Sequence, residues 1–293
     1  MAGFSDILKE IGESQSQLDF VRKKHIKALS RYTRRNTIVY YSGWLSKTDV
    51  NGVDICDSDM AGFMEAVRGL NCSKGLDLIL HTPGGDPTAA ESIVKYLRKK
   101  FNDDIRIIVP HMAMSAGTMI SCSGKEIIMG KHSSLGPIDP QLSGIPAYSI
   151  VNEFFSAKED LKNNPMNVQY WSIQLGKYPP AFLNRAIDAI ELSGILVKEW
   201  LGTCMFDATK DQETIDKIVN SLNEHTDSKE HARHFDSDFC KKIGLKIIDL
   251  ESDQQLQDKV LSIHHAMVLT FNSTQAVKII ENDQKGTWIQ SIS

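Results

Sequence analysis

Two short segments carry the residue types that acyl-transfer chemistry needs. The first is HTPGGD, His81 to Asp86, which follows the apolar run LDLIL and precedes an amphipathic stretch. Pro83 cannot continue a strand ladder, and paired glycines adopt backbone conformations closed to other residues, so their N–H groups can point at a ligand. Such a turn at the start of a helix could form an oxyanion hole. On its own, however, P-G-G is more typical of an ordinary strand-to-helix turn.

The second segment is PHMAMSAGT, which follows the apolar run IRIIV and contains Ser115. The small residues Ala113, Ala116 and Gly117 leave room for a substrate beside the Ser115 hydroxyl. A serine at the start of a helix most often caps it. Because the carboxyl ends of parallel strands share one edge of a sheet, the two segments together favour a nucleophile that faces a donor loop.

The elements that must position these segments follow from the hydrophobic pattern. Short β-branched runs alternate with helical patterns from Thr37 onward, and strands that are apolar on both faces predict a parallel sheet covered by helices on both sides. The predicted strands are Thr37–Tyr41, Leu76–His81, Ile105–Pro110, Lys125–Met129 and Leu245–Leu250, and the predicted helices are Asp59–Leu70, Thr88–Phe101 and Ser115–Ser123.

The chain length of 293 residues is enough for one principal α/β domain with helical additions. We expect a helical leader over residues 1–35 and a catalytic domain over residues 36–250. Within the catalytic domain, a helical insertion is expected at about 150–225. Residues 251–293 should form a helix, Asp253–His265, and then a polar tail.

Composition narrows the classes of function. The 33 basic residues nearly balance the 37 acidic ones, and the basic run near Arg22 is typical of a solvated helix face, so we expect neither a nucleic-acid nor a membrane partner. Five cysteines without a C-x-x-C pair argue against disulfides and a structural zinc site. No stretch approaches the roughly 20 apolar residues of a membrane span. We therefore predict a cytoplasmic protein without a metal or cofactor.

Three segments of the chain resemble a known protein family. The segments LILHTPGGDPTAAESIVKYL, IIVPHMAMSAGTMIS and GKHSSLGPIDPQL are similar to the SDH-type serine proteinases of the Clp fold, relatives of Clp protease and signal peptide peptidase A. The similarity runs from about Asn36 to about Asp283. It implies a Clp/crotonase-like spiral core of parallel β-α-β units, peptide-bond hydrolysis and self-association. The chain has no P-loop, so any ATP-driven unfolding of substrate would need a separate partner.

The resemblance also implies roles for individual residues. Ser115 matches the nucleophile of the family. The oxyanion hole would be formed by the backbone amides of Gly84 or Gly85 and of Ala116.

At the position of the general base, the sequence differs from the better-known relatives. Where Clp proteases keep a histidine after the nucleophile helix, this chain has Asp139. A carboxylate with a free pKa near 4 is a poor base at neutral pH, but it can orient a histidine. We therefore hypothesise that Asp139 and His231 exchange the roles of the relatives' histidine and aspartate, with His234 and His225 as alternative bases.

A Ser-Lys dyad, as in signal peptide peptidases, is a further possibility. Lys158 and Lys162 follow Ser115 at the implied distance, and a buried lysine can act as a base. His81 and His111 adjoin the two segments and could either line the pocket or bond a backbone carbonyl. His264 and His265 are expected at a helix end.

Two other classes of function stay open. Crotonase-like enzymes of this superfamily bind acyl-CoA thioesters and use paired amides to hold an enolate, but they generally need no serine nucleophile. A scaffold that kept the fold and lost the chemistry would explain the missing Clp-position histidine.

Overall fold

A mostly parallel sheet lies at the centre of the protein. The coordinates are those of a computed structural model, which describes residues 7, 18–223, 233–284 and 286–292. The described strands are β1 Asn36–Ser42, β2 Leu76–His81, β3 Ile105–Val109, β4 Met112–Ala113, β5 Glu126–Met129, β6 Ser134–Leu135, β7 Gln141–Leu142, β8 Ile145–Pro146, β9 Ile247–Asp249, β10 Ala276–Asn282 and β11 Thr287–Ser291.

The main sheet has seven strands in the described ranges, in the order β11-β10-β1-β2-β3-β5-β9. Strands β1, β2, β3, β5 and β9 run parallel, whereas β10 pairs antiparallel with β1 and β11 antiparallel with β10. The predicted parallel sheet is therefore confirmed. The small pairs β4–β6 and β7–β8 lie outside it.

Helices cover both faces of the sheet. Those that the structure describes are α1 Leu18–Thr33, α2 Asp59–Val67, α3 Pro87–Phe101, α4 Ala116–Ser121, α5 Ala147–Asn163, α6 Val168–Leu175, α7 Phe182–Trp200, α8 Gln212–Asn223, α9 Ser237–Ile243 and α10 Gln254–Ser273. Helices α5 to α8 fill the region that the sequence analysis assigned to a helical insertion. None of the described helices has the length and apolar character needed to cross a lipid bilayer.

Side chains alternate between two apolar cores along each parallel strand. In β2, Leu78 and Leu80 join the core beneath α3, whereas Ile79 joins the core beneath α1 and α10. All of these side chains are fully buried. Full burial of such a side chain contributes about 1.5–3 kcal/mol, which is why these strands are apolar on both faces.

The helical leader packs on the chain itself. Leu29 of α1 lies in the same core as Met267 of α10. Beside this contact, the fully buried Arg22 donates from Nε to Glu281 Oε1 of β10 at 2.8 Å. Helix α1 therefore covers one face of the sheet together with α10.

The C-terminal segment differs from the sequence expectation. The predicted helix Asp253–His265 extends over Gln254–Ser273, so His264 and His265 do not end it. The expected polar tail is wrong, because residues 276–282 form a buried strand of the main sheet. Polar residues concealed this strand: the fully buried Lys278 pairs with Asp59 at 2.7 Å, and Glu281 pairs with α1. The division of the chain into leader, catalytic domain and C-terminal segment stays a prediction.

Candidate active site

The two chemically promising segments meet at the carboxyl edge of the sheet. The amide of Thr82, just after β2, donates to the Met112 carbonyl at 3.1 Å. The Met114 amide donates back to the Thr82 carbonyl at 3.0 Å. These bonds continue the parallel pairing beyond the main sheet and hold the Gly84–Gly85 turn beside Ser115.

Ser115 has a strained backbone and does not cap the helix that follows it. Its φ of 50° and ψ of −116° lie outside the helical region, and its side chain makes no capping hydrogen bond to α4. A non-glycine residue in such a conformation costs about 1–3 kcal/mol, which the surrounding packing must offset. Thr118 supplies part of that support, since its Oγ1 donates to the Ala113 carbonyl at 2.8 Å. The capping role considered for Ser115 is therefore excluded.

The paired glycines are required by close backbone packing. Gly84 has φ +104°, and a Cβ at this position would lie 2.7 Å from the Cβ of Ser115. Gly85 has φ +143°, and a Cβ here would overlap the backbone of Ile55. The Ile55 amide donates to the Gly84 carbonyl at 2.7 Å, and the Asp86 amide donates to the Ile55 carbonyl at 2.9 Å.

The two glycine amides differ in their availability. The Gly84 amide donates to Thr82 Oγ1 at 3.2 Å. Within the described residues, the amides of Gly85 and Ala116 donate no such bond. Ala116 begins α4, so its amide has no partner inside the helix. Among these three amides, those of Gly85 and Ala116 are thus available to a ligand, whereas the Gly84 amide already has an acceptor.

A cavity of about 350 Å³ opens beside Ser115. Of the described residues that line it, Asp54 alone carries a charge, and its side chain is exposed. The lining comprises Asp54, Pro83, Gly85, Pro87, Ser115, Ala116, Met119, Ile138, Pro140, Gln141, Leu142, Ala189 and Ser193. Ser115 and the two residues with available amides, Gly85 and Ala116, therefore line one mainly apolar space.

Asp139 lies between residues that line this cavity. Its side chain is fully buried, and Gln141 Nε2 donates to its Oδ2 at 3.4 Å. Its neighbours Ile138 and Pro140 both contact the cavity. The structure thus brings Asp139 close to the candidate nucleophile's cavity, as the sequence suggested.

The candidate bases that the structure describes do not line the Ser115 cavity. His225 and His231 lie outside the described residues. His234 is exposed, with Nδ1 3.0 Å from Ser134 Oγ, and it does not line the Ser115 cavity. Lys158 and Lys162 are exposed on α5, and Lys162 donates to Glu159 at 2.9 Å. Neither lysine has the buried surroundings that a catalytic lysine requires.

His81 and His111 line a different cavity, together with His264 of α10. His81 Nδ1 lies 3.1 Å from the Met112 carbonyl oxygen, within reach of the bond to a backbone carbonyl that was considered for it. Burial and the neighbouring imidazoles lower the pKa of His81 well below its usual value. Burial also lowers the pKa of His264 to about 3.

Sequence reasoning missed this histidine cluster, because nothing in the sequence relates His264 to the two loops. The alternation of side chains along β2 does indicate the face on which His81 lies. His81 follows Ile79 at a spacing of two, which places it on the face toward α10.

Comparison with known proteins identifies the family. Residues 15–168 match the profile of the ClpP-like SDH-type serine proteinases. This stretch covers more than half of the chain. The chain belongs to this family. The match includes the Gly84–Gly85 turn, Ser115 and Asp139, whereas the 225–234 histidine segment lies beyond it. The predicted family and Clp-like α/β fold are confirmed.

Two relatives of this SDH-type proteinase come from Methanocaldococcus jannaschii, and both are named as uncharacterized. Protein MJ0137 is 38% identical over 139 residues, which make up 46% of this chain and 48% of the relative. Protein MJ1495 is 36% identical over 108 residues, 37% of each chain. The chain therefore spans about half of the first relative and less of the second.

Among solved structures, the chain is similar to a ClpP1 mutant from Listeria monocytogenes. The TM-score is 0.40 and the sequence identity 11%, over 78% of this chain and 98% of that one.

Proposed function

We propose that this SDH-type proteinase is a serine peptidase that hydrolyses peptides or unfolded protein segments through an acyl-enzyme at Ser115. One observation carries the proposal. Ser115 has a strained backbone and no capping bond, and it lines a cavity together with Gly85 and Ala116, whose amides have no described acceptor.

In this mechanism, Ser115 Oγ attacks the scissile carbonyl carbon while a base removes the hydroxyl proton. The negative charge that develops on the carbonyl oxygen is stabilised by the amides of Gly85 and Ala116. When the C–N bond breaks, the base returns the proton to the leaving amine. Water then attacks the ester, and Ser115 is released with its proton.

The base in this proposal is a histidine held by Asp139. A buried carboxylate beside the cavity can orient an imidazole and stabilise its protonated form. His231 is the leading candidate, and His225 is the second. His234 ranks lower, because it is already bonded to Ser134. Single alanine substitutions at these three positions should identify the base as the variant that loses turnover while still binding substrate.

A substrate that carries positive charge should be weakly preferred. Asp54 is the charged side chain among the described residues of the cavity wall. Its loop is held in place, since the buried ammonium of Lys278 donates to the Asp54 carbonyl at 2.6 Å. An exposed carboxylate on this loop, beside a cavity wall whose other described residues carry no charge, favours a basic residue over an acidic one.

Self-association, a separate unfolding partner and a cytoplasmic location remain parts of the proposal. The family resemblance supports self-association, and the sequence, which has no P-loop motif, would need a separate partner for any ATP-driven unfolding of substrate. All five cysteines are free thiols, which fits a reducing compartment.

A serine-directed fluorophosphonate probe tests the proposal directly. We expect the full-length protein to be labelled at Ser115 and to cleave an unfolded protein such as casein. Ser115→Ala should lose both properties, with turnover falling by about 10³-fold or more. The control is Ser92→Ala, which alters an exposed serine of α3 and should behave as the wild type.

Absence of labelling at a folded Ser115 would refute the peptidase proposal. Binding of acyl-CoA to the unlabelled protein would then support the crotonase-like alternative. A protein that assembles normally but neither binds acyl-CoA nor cleaves any unfolded substrate would be the inactive scaffold.

A further inference from the structure

Three histidines from separate parts of the chain form a cluster behind the candidate catalytic loops. The ring centroids of His81, His111 and His264 lie 5.5 to 5.7 Å apart. Tyr41 and Trp44 pack against His81, with centroid distances of 4.7 and 4.3 Å. The three imidazoles line a cavity of about 310 Å³, which is separate from the Ser115 cavity. The peptidase mechanism proposed above gives them no role.

His81 contacts the backbone that joins the two catalytic turns. Its Nδ1 lies 3.1 Å from the Met112 carbonyl oxygen and 3.3 Å from the Met112 amide nitrogen. A protonated Nδ1 donates to the oxygen, whereas an unprotonated Nδ1 accepts from the amide. The same Met112 carbonyl accepts the Thr82 amide, and Thr82 leads directly into the Gly84–Gly85 turn. The imidazole therefore ties the end of β2 to the segment that carries Ser115.

The surroundings of His81 favour its neutral form. Its side chain is 3% exposed. The titratable groups facing it are the Tyr41 hydroxyl from β1, His111 from the loop after β3 and His264 from α10, and behind these lie His132, His234 and His265. None of these groups is a carboxylate that could compensate a buried imidazolium.

His264 is itself held in position by β1. Its Nδ1 lies 2.6 Å from the Tyr41 hydroxyl oxygen, and its ring meets that of His81 edge-on. The ring of His81 is thus confined by Trp44, Tyr41 and His264. It can keep one orientation toward Met112.

We propose that His81 is a positioning residue, whose neutral imidazole sets the separation between the Gly85 amide and Ser115 Oγ through its hydrogen bond to Met112. This inference rests on the proposed peptidase function. A displacement of about 1 Å between a nucleophile and its oxyanion donor can cost about 10²-fold in rate.

Two substitutions separate positioning from simple packing. His81→Phe keeps an aromatic ring of similar shape but has no nitrogen to bond Met112. His81→Asn places a polar atom where Nδ1 stands and gives up part of the packing. Positioning predicts that His81→Phe lowers kcat by about 10²-fold with KM within about twofold, and that His81→Asn restores kcat to within about tenfold of the wild type.

The matched control is His132→Phe. His132 belongs to the outer part of the cluster and lies 3.0 Å from the Pro110 carbonyl oxygen through Nε2, without joining the two turns. Its kcat should remain within about twofold of the wild type. If His81→Phe equals the wild type in kcat, or if His81→Asn is the slower variant, the ring acts by packing and the inference is wrong.

The failure of the peptidase proposal can be distinguished from the failure of this inference. If the wild type is neither labelled at Ser115 nor active, the peptidase proposal fails. Crystal structures of the two variants then decide the positioning question. A changed distance between Gly85 N and Ser115 Oγ in His81→Phe, restored in His81→Asn, supports the inference, and an unchanged distance in both overturns it.

Discussion

Two cavities at the carboxyl edge of the sheet are lined by different kinds of residue, although both adjoin the segments that follow β2 and β3. The Ser115 cavity is mainly apolar, and no imidazole is among the described residues that line it. The second cavity is lined by His81, His111 and His264. Residues that follow strands at one sheet edge therefore need not face one site. Because side chains alternate along β2, His81 points toward α10 while the turn after it faces Ser115.

Among substitutions that test the difference between the two cavities, one at Asp139 should have the greatest kinetic effect. If this carboxylate orients the base for the Ser115 cavity, Asp139→Asn should lower kcat by about 10³–10⁴-fold, because the amide cannot stabilise a protonated imidazole. Steady-state kinetics on a peptide substrate would measure this loss.

A buried aspartate outside the site provides the control for Asp139. Asp77 accepts from Arg35 at 2.8 Å and from Arg106 at 2.7 Å near the amino end of β2. Asp77→Asn should lower Tm while kcat stays within about twofold. Equal kinetic losses in both variants would mean that Asp139 acts only through stability.

The Gly85 turn should respond nearly as strongly. In Gly85→Ala, the new methyl group overlaps the Ile55 backbone and the φ of +143° is strained, so the donor amide must move. We expect kcat to fall by about 10²–10³-fold, the loss typical of one oxyanion donor.

Gly69→Ala is the control that separates the effect of backbone strain from that of a displaced donor amide. Gly69 has φ +79° and open space where a Cβ would lie. This variant should lose some stability and keep its kcat. Full activity of Gly85→Ala would remove Gly85 from the oxyanion hole.

The buried histidines of the second cavity should make the protein less stable at acidic pH. Burial lowers the pKa of His264 to about 3 and that of His81 well below its usual value. The unfolded chain therefore binds protons below pH of about 6.5 that the folded chain does not bind, and the free energy of unfolding falls as pH decreases. The slope should be about 1.4 kcal/mol per pH unit for each such histidine.

Urea denaturation at pH 7 and pH 5.5 measures this dependence. In His264→Phe, one histidine no longer contributes and the difference between the two pH values should shrink. A wild-type stability that is the same at both values would contradict the assignment of buried, neutral imidazoles.

The smallest effect concerns charge preference in the Ser115 cavity. Because the Asp54 carboxylate is exposed, its attraction for a basic substrate is worth about 0.2–1 kcal/mol. Asp54→Asn should therefore reduce the preference for lysine-containing over glutamate-containing peptides by about 1.4- to 5-fold in kcat/KM. Asp57→Asn, an exposed neighbour outside the cavity, should leave the preference unchanged.

The parallel core was predictable because its signals are local. Continuous apolar runs identify strands buried on both faces, and β2 begins and ends where the pattern placed it. Strand β10 was missed because a buried lysine and a buried glutamate make it look like a polar tail. Their partners Asp59 and Arg22 lie far away in sequence, so no window of the sequence contains the compensation.

Residue types and spacing were enough to predict the family, the β-α-β order and the two turns that carry Ser115 and the paired glycines. These features depend on residue types at short spacing, such as glycines where backbone segments pack closely. Three features became visible only in the folded protein: Ser115 leaves its helix uncapped, Gly85 and not Gly84 has the available amide, and three histidines gather behind the two turns. Each of these depends on hydrogen bonds and packing between segments that are distant in the chain.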